Sequence, residues 1–259
     1  MTPTVVVHHD PQTLAAAAAA RLVTALVDVQ SARGGASVVL TGGTIGIATL
    51  AAVAAIPARD AVDWRRLDVW WGDERFVPAD DPDRNEKQAR EALLDRVGVE
   101  PERVHAMPAA DGPDGNDPES AAERYAKELA VATRPEDHGA VPSFDVLLLG
   151  VGPDGHVASL FPEKPALHET ERTVVAVRGA PKPPPTRISL TLPAIRSARE
   201  VWLIVSGAEK AASVRMALSG AGPVQIPAAG ATGRARTLWL LDRAAASELP
   251  PSLARIASP

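Results

Sequence analysis

The stretch "FDVLLLGVGPDGHVASLFP", Phe144 to Pro162, runs a wholly apolar segment into a Gly-Pro-Asp-Gly turn and sets His156 directly behind it. A histidine with an unperturbed pKa of about 6.5 can take a proton and return it near neutral pH. The turn Gly152-Pro153-Asp154-Gly155 fixes the direction of the ring, and Asp154 is close enough along the chain to orient it. The bland alternative is a helix-capping histidine packed under the loop. On this pattern a buried strand hands over to a helix at the turn, with Ser159 inside that helix.

Two further loops carry chemistry at predicted strand ends. "TGGT", Thr41 to Thr44, sets Gly42, Gly43 and Thr44 before a helix. Glycines let backbone N–H groups approach an anion, and a helix start favours negative charge. A tight turn that merely requires glycine explains this loop equally well. "GDER", Gly72 to Arg75, puts Asp73, Glu74 and Arg75 at the mouth of the sheet, where ordinary loops use Gly, Asn, Ser and Pro. An arginine there can hold a phosphate or carboxylate through its planar fork. Later, "TRISLT" offers Arg187 and "VSGAEKA" offers Lys210 in the first turn of a helix. A cation opposes the helix dipole at that position, which points to an anionic ligand between lysine and helix end, against the alternative of a solvated lysine.

Other chemistries are poorly supported. The chain has no cysteine, which removes disulfides, thiolate metal sites and a cysteine nucleophile together. The remaining histidines are scattered, with no H-x-x-x-H or H-E-x-x-H spacing, so no metal is expected. A G-x-S-x-G elbow is missing, which argues against a serine triad. The glycine loop fits neither nucleotide fingerprint, and no cofactor is expected.

The elements that must position these residues alternate along the chain. Strands are predicted at "TVVVHH", "ASVVL", "LDVWW", "RVHAM", "FDVLLLG", "TVVAV", "RISLTL", "EVWLIVSG" and "TLWLLD". Helices are predicted from Pro11 to about Arg33, at "IGIATLAAVAAI", "EKQAREALLDRVG", "DPESAAERYAKELAVA", "AEKAASVRMALSG" and "RAAASEL". Continuous apolar strands interleaved with helices imply an α/β fold: a doubly wound, mostly parallel sheet with helices on both faces. No linker or internal repeat divides the chain, so one domain over 1–259 is expected. In such sheets ligands bind outside the carboxyl ends of the strands, where all three loops fall.

The formal charge of −5 and pI near 5.7, with both signs interspersed, argue against nucleic-acid and anionic-membrane partners. Only five of the 27 basic residues are lysines, so a given lysine carries more information than a given arginine. The N-terminus lacks a basic stretch followed by an apolar one, and no apolar run approaches membrane-spanning length. A soluble, cytoplasmic protein is expected.

The stretches "LTGGT", "WWGDERFVPADDPDRNEKQAREALL", "FDVLLLGVGPDGHVASLFP", "RISLTLPAIRSAREVWLIVSGAEKA" and "LWLLDRAAA", in this order, resemble the 6-phosphogluconolactonase family. The resemblance implies a fold related to the glucosamine-6-phosphate deaminase and ribose-5-phosphate isomerase group. It also implies metal-free hydrolysis of 6-phospho-D-glucono-1,5-lactone, the second step of the oxidative pentose phosphate pathway, by a monomer or small homo-oligomer. Carried over by position, His156 is the base that activates water, and Arg75 beside Asp73 lies at the sugar end. Gly42, Gly43, Thr44, Arg187 and Lys210 hold the phosphate, and Asp154 belongs to the substrate-side set. Many relatives read Ser-Gly-Gly-Ser-Thr-Pro in the first loop; here Ile45-Gly46 replaces Thr-Pro, so any contact from position 45 must come from its N–H. A deaminase or isomerase of the same fold continues from Asp-Gly-His into Phe-Asn-Glu-Pro, whereas this chain has no acid until Glu163. A non-catalytic sugar-phosphate sensor would not need His156.

Overall fold

The computed structural model describes residues 2–135, 137, 139–253 and 255–256; the ends of the expected 1–259 domain, and His138, lie outside them. Ten strands are present among these residues: β1 (Thr4–His8), β2 (Ala36–Leu40), β3 (Leu67–Trp71), β4 (Asp73–Arg75), β5 (Val146–Leu149), β6 (Val174–Val177), β7 (Arg187–Leu190), β8 (Glu200–Val205), β9 (Arg236–Asp242) and β10 (Arg255–Ile256). The α-helices are α1 (Pro11–Arg33), α2 (Thr44–Ala55), α3 (Asn85–Ala92), α4 (Pro118–Ala132), α5 (Leu192–Arg196), α6 (Ala211–Leu218) and α7 (Pro227–Gly230).

Helix α1 follows its sequence signals closely. Asp10 caps it by accepting from the Thr13 N–H at 2.7 Å, Pro11 opens it, and Gly34 closes it in the left-handed region at φ 79°. By length and composition α1 could cross a membrane, contrary to the expectation that no apolar run approaches that length. Its Leu14, Ala18, Leu22 and Leu26 face is nevertheless buried inside the protein, as in a core helix.

Seven parallel strands form the main sheet in the order β10-β1-β9-β8-β5-β2-β3. From β2 the chain steps outward to β3, then returns to β5 on the other side of β2. The switch point of this doubly wound sheet therefore lies between β2 and β5. The loop after β2 is "TGGT" and the loop after β5 is "GVGPDGH", so topology alone makes them neighbours.

A second, antiparallel sheet, β4-β7-β6, departs from expectation. "TVVAV" and "RISLTL" form β6 and β7 there instead of joining the parallel sheet, and "DER", read as loop, is β4. The join is Gly72. Its N–H donates to the Leu40 carbonyl of the main sheet at 3.1 Å, and its carbonyl accepts from the Leu190 N–H of the second at 2.9 Å. The chain thus leaves β3 without breaking its backbone bonding and pairs at once with β7.

Two other elements differ. "RVHAM" makes one parallel bridge, Val104 to Val69, and is too short for a strand. "RAAASEL" is a series of turns, because buried Asp242 accepts from the Ala245 N–H at 2.7 Å and from Ser206 and Gly207 across the sheet end.

His105 shows how the flank of the sheet is held. Its ring stacks on buried Trp70 with centroids 3.7 Å apart, and its Nδ1 lies 2.7 Å from Glu128 of α4. Burial alone lowers its pKa, but the hydrogen bonds and charges of Asp68 and Glu128 outweigh burial and hold it above the usual 6.5. A proton bound more tightly in the folded state stabilises the fold fully below 6.5, and that stabilisation is lost as pH rises through the raised folded value. The unfolding free energy from urea titrations should therefore contain a component that declines as pH rises above 6.5, by at most about 1.4 kcal/mol per pH unit for one proton. His105→Gln should make that decline shallower; an unchanged slope would remove His105 as its source.

Candidate active site

A cavity of about 930 Å³ opens at the carboxyl ends of β2, β5 and β8. Gly42, Gly43, Thr44, Asp73, Arg75, His156, Arg187 and Lys210 all line it, so eight of the nine residues singled out from the sequence meet there. Asp154 does not line it; it stands behind His156.

The Gly152–Gly155 turn closes through a Gly155 N–H to Gly152 carbonyl bond of 2.9 Å, with Gly155 in the left-handed region at φ 82°. Gly152 must be glycine for a different reason: an added Cβ would overlap the imidazole of His156. Asp154 Oδ1 accepts from the His156 backbone N–H at 3.2 Å and lies 2.5 Å from Nδ1. Burial pushes the Asp154 carboxyl up, but the hydrogen bond and charge of His156 outweigh it and hold it below the usual carboxylate range. Beside an ionised carboxylate Nδ1 is the donor, which leaves the Nε2 lone pair available as an acceptor.

No helix follows His156. Val157 and Leu160 form an isolated antiparallel bridge, with Ala158 between them at φ 49°. Ser159, expected inside a helix, is fully buried and ties this loop to the second sheet. Its Oγ donates to Asp73 Oδ2 at 2.7 Å, and its N–H donates to Ser189 Oγ at 3.1 Å. Phe161 packs with Val175 and Val177 of β6 and supports the His156 ring, centroid to centroid 4.5 Å. The helix expectation failed because tertiary anchors, Ser159 among them, overrode the local pattern.

On the other side of the switch point, Thr41 Oγ1 accepts from the Gly150 N–H at 3.3 Å, joining the two loops. Gly43 adopts φ 79° and ψ 162° at the start of α2, and no side chain caps that helix. Its first-turn N–H groups are left for an anion. Ile45 supplies no hydroxyl, while Gly46 lets the helix approach Thr41: an added Cβ would stand 2.8 Å from the Thr41 carbonyl oxygen.

The three charged residues after Gly72 divide their work. Glu74 is fully buried and accepts N–H bonds from Arg75, Asn85 and Glu86 at 2.7–2.8 Å, with Arg84 at 3.8 Å. Burial pushes its pKa up to about 7, against the pull of Arg84 and the three N–H groups. It braces the loop and does not line the cavity. Asp73 and Arg75 face inward. Arg75 sits directly opposite Arg187 in the β4–β7 register. Burial is the main cause of a lowered pKa at Arg187; Asp73 opposes it and Arg75 adds to it. Like charges at a cross-strand position are destabilising unless an anion joins them. Arg187 is braced by the carbonyls of Pro184 and Lys182, each at 3.0 Å. Lys210 ends a 3-10 turn and caps α6, where Nζ donates to the Ser206 carbonyl at 2.8 Å and pairs with Glu209 at 3.0 Å. Those bonds give the lysine a partner of its own, so the helix-dipole mismatch alone is not a sign of a ligand.

Among the described residues no group of three or more His, Asp or Glu side chains is arranged to hold a metal. Asn85, Ser159 and Phe161 escaped sequence reasoning. Asn85 falls just before the predicted helix "EKQAREALLDRVG", and nothing local marks a serine or phenylalanine whose partners lie 86 residues away or on another sheet.

An open parallel sheet with a glycine loop, paired cations and a His–Asp couple at its switch point has the architecture of α/β proteins that act on small anionic ligands. The profile of the family described as Glucosamine-6-phosphate isomerases/6-phosphogluconolactonase matches residues 9–239, and the chain belongs to that family. It is 69% identical over 252 residues to a 6-phosphogluconolactonase of Streptomyces coelicolor, covering 97% of both chains. It superposes on the 6-phosphogluconolactonase of Trypanosoma brucei with a TM-score of 0.83 at 32% identity, covering 96% and 99% of the two chains. A monomeric glucosamine-6-phosphate deaminase shares the fold, with a TM-score of 0.77 at 20% identity over 95% and 99%.

The His156–Asp154 couple generates a direct expectation. Asp154→Asn removes a charge-assisted hydrogen bond of about 1.5–3 kcal/mol and should lower the turnover number by about 10- to 100-fold. KM should change little, because Asp154 stands outside the cavity. Steady-state kinetics check this; a raised KM at native turnover would place Asp154 among the ligand contacts instead.

Proposed function

We propose that this chain hydrolyses 6-phospho-D-glucono-1,5-lactone to 6-phospho-D-gluconate. The observation that carries the reading is the His156–Asp154 couple opening into the same cavity as Arg75, Arg187, Lys210 and the uncapped start of α2. One wall offers a base and the others offer cations and N–H donors, as a phosphorylated ester requires. The name carried by the close relatives supports the same reaction.

In this mechanism His156 Nε2 takes a proton from water as the water oxygen attacks C1. Negative charge collects on the former carbonyl oxygen, which Arg75 stabilises. The C1–ring oxygen bond then breaks, and the imidazolium gives its proton to the departing oxygen. The carboxylic acid product ionises in water. The phosphate, held by Arg187, Lys210 and the N–H groups of Gly43 and Thr44, supplies binding energy that positions the ring. Asp154 orients the base, and Asp73, held by Ser159, faces the sugar.

A deaminase or isomerase of this fold is the second reading. It is disfavoured because the first acid after His156, Glu163, is exposed and lies outside the cavity. The proposal extends to a single cytoplasmic domain over 1–259, monomeric or a small homo-oligomer, with a phosphorylated sugar lactone as its partner and neither nucleic acid nor membrane.

His156→Ala should lower kcat by about 10²–10⁴ with little change in KM, and the native rate should fall on acidification as imidazole protonates. Uncatalysed opening must be subtracted at each pH. Lys210→Ala or Arg187→Ala should instead raise KM by about 10- to 100-fold. EDTA should leave activity intact, because the water is activated by a side chain. A folded His156→Ala protein at native kcat removes histidine from the mechanism. Loss of activity in EDTA that a divalent cation restores does the same for metal-free activation.

A further inference from the structure

We propose that Asn85 is the positioning residue that aims Arg75 into the cavity, and that residue 42 is glycine to make room for it. The inference rests on the lactonase reading and deepens it, by assigning how the oxyanion-stabilising group is held.

Asn85 opens α3 and is 2% exposed, so its amide must be satisfied internally. Nδ2 donates to the Asp73 carbonyl at 2.8 Å, and Oδ1 accepts from Arg75 Nη1. The partners settle the orientation of the amide: a backbone carbonyl only accepts and a guanidinium only donates. The backbone N–H of Asn85 is itself held by Glu74 Oε1 at 2.7 Å. Asn85 therefore touches all three residues after Gly72. Arg75 Nη1 also donates to the Asp83 carbonyl at 3.1 Å. With Nη1 held by Asn85, which also lines the cavity, and by Asp83, Nη2 has no hydrogen-bond partner among the described residues, on a side chain that lines the cavity.

The two glycines of the first loop differ in the same light. Gly43 sits at φ 79° with open space where a Cβ would be, so its backbone conformation requires glycine. Gly42 is outside the left-handed region, but an added Cβ would overlap Oδ1 and Cγ of Asn85. The glycine at 42 accommodates the amide that holds Arg75. Through this packing the α2 loop and Arg75 are set relative to one another across the cavity.

The test uses the full chain with the phosphorylated lactone as substrate, and thermal unfolding to confirm that each variant is folded. Asn85→Ala should lower kcat by about 10- to 100-fold with KM nearly unchanged, the loss of one hydrogen bond to a charged group. In an Arg75→Ala background the same change should have no further effect, because Asn85 acts through Arg75. Gly42→Ala displaces the amide without removing it and should also lower kcat more than it raises KM. Its effect should shrink when Asn85 is alanine too. If Asn85→Ala does not fold, Gly42→Ala with and without Arg75→Ala carries the test. Additive effects of Asn85→Ala and Arg75→Ala overturn the proposal, as does a Gly42→Ala change confined to KM. So does a folded Asn85→Ala protein that only melts earlier. An unmodified chain without lactonase activity overturns the functional reading itself, which these outcomes do not.

Discussion

Gly72 bonds to two sheets at once, and the geometry of the site depends on that double attachment. Its N–H completes the parallel sheet and its carbonyl begins the antiparallel one. The next three residues are thereby delivered, without slack, from the end of β3 to the side of β7. A looser connection would leave Asp73 and Arg75 on a mobile loop. Here they are strand residues with fixed neighbours, and Arg75 faces Arg187 by register.

The second sheet also supports the histidine. Phe161 packs on β6 beneath the imidazole, and Ser159 reaches Asp73 and Ser189. The His156 loop is thus fastened to the main sheet by its turn and to the small sheet by its tail. Rigid support on both sides is what the proposed base needs if it is to meet water and a ring carbon in one geometry.

Charge in the cavity is arranged by burial as much as by pairing. Arg75 and Arg187 lie together with Asp73 between them in influence, and Arg187 is braced by carbonyl oxygens. These groups are held by hydrogen bonds to the protein itself, so an entering anion meets preorganised donors. Glu74 contributes differently: sealed inside, it ties Arg75, Asn85 and Glu86 into one loop by their backbone N–H groups.

The sequence by itself determined the parallel sheet, the long first helix with its Asp10, Pro11 and Gly34 signals, and the loops that would hold the chemistry. Periodicity, caps and glycine turns are local properties, and the rule that ligands gather at strand ends converts them into a site. Six residues named from those loops do line one cavity, together with Arg187 and Lys210. Only tertiary structure decided that "DER", "TVVAV" and "RISLTL" form a separate antiparallel sheet, because pairing partners far apart in the chain leave no local trace. Tertiary anchors likewise turned "HVASLF" away from helix and "RAAASEL" into turns. Asn85 is the sharpest case: it stands just before the predicted helix "EKQAREALLDRVG", and only its burial between Gly42, Asp73 and Arg75 shows what it holds.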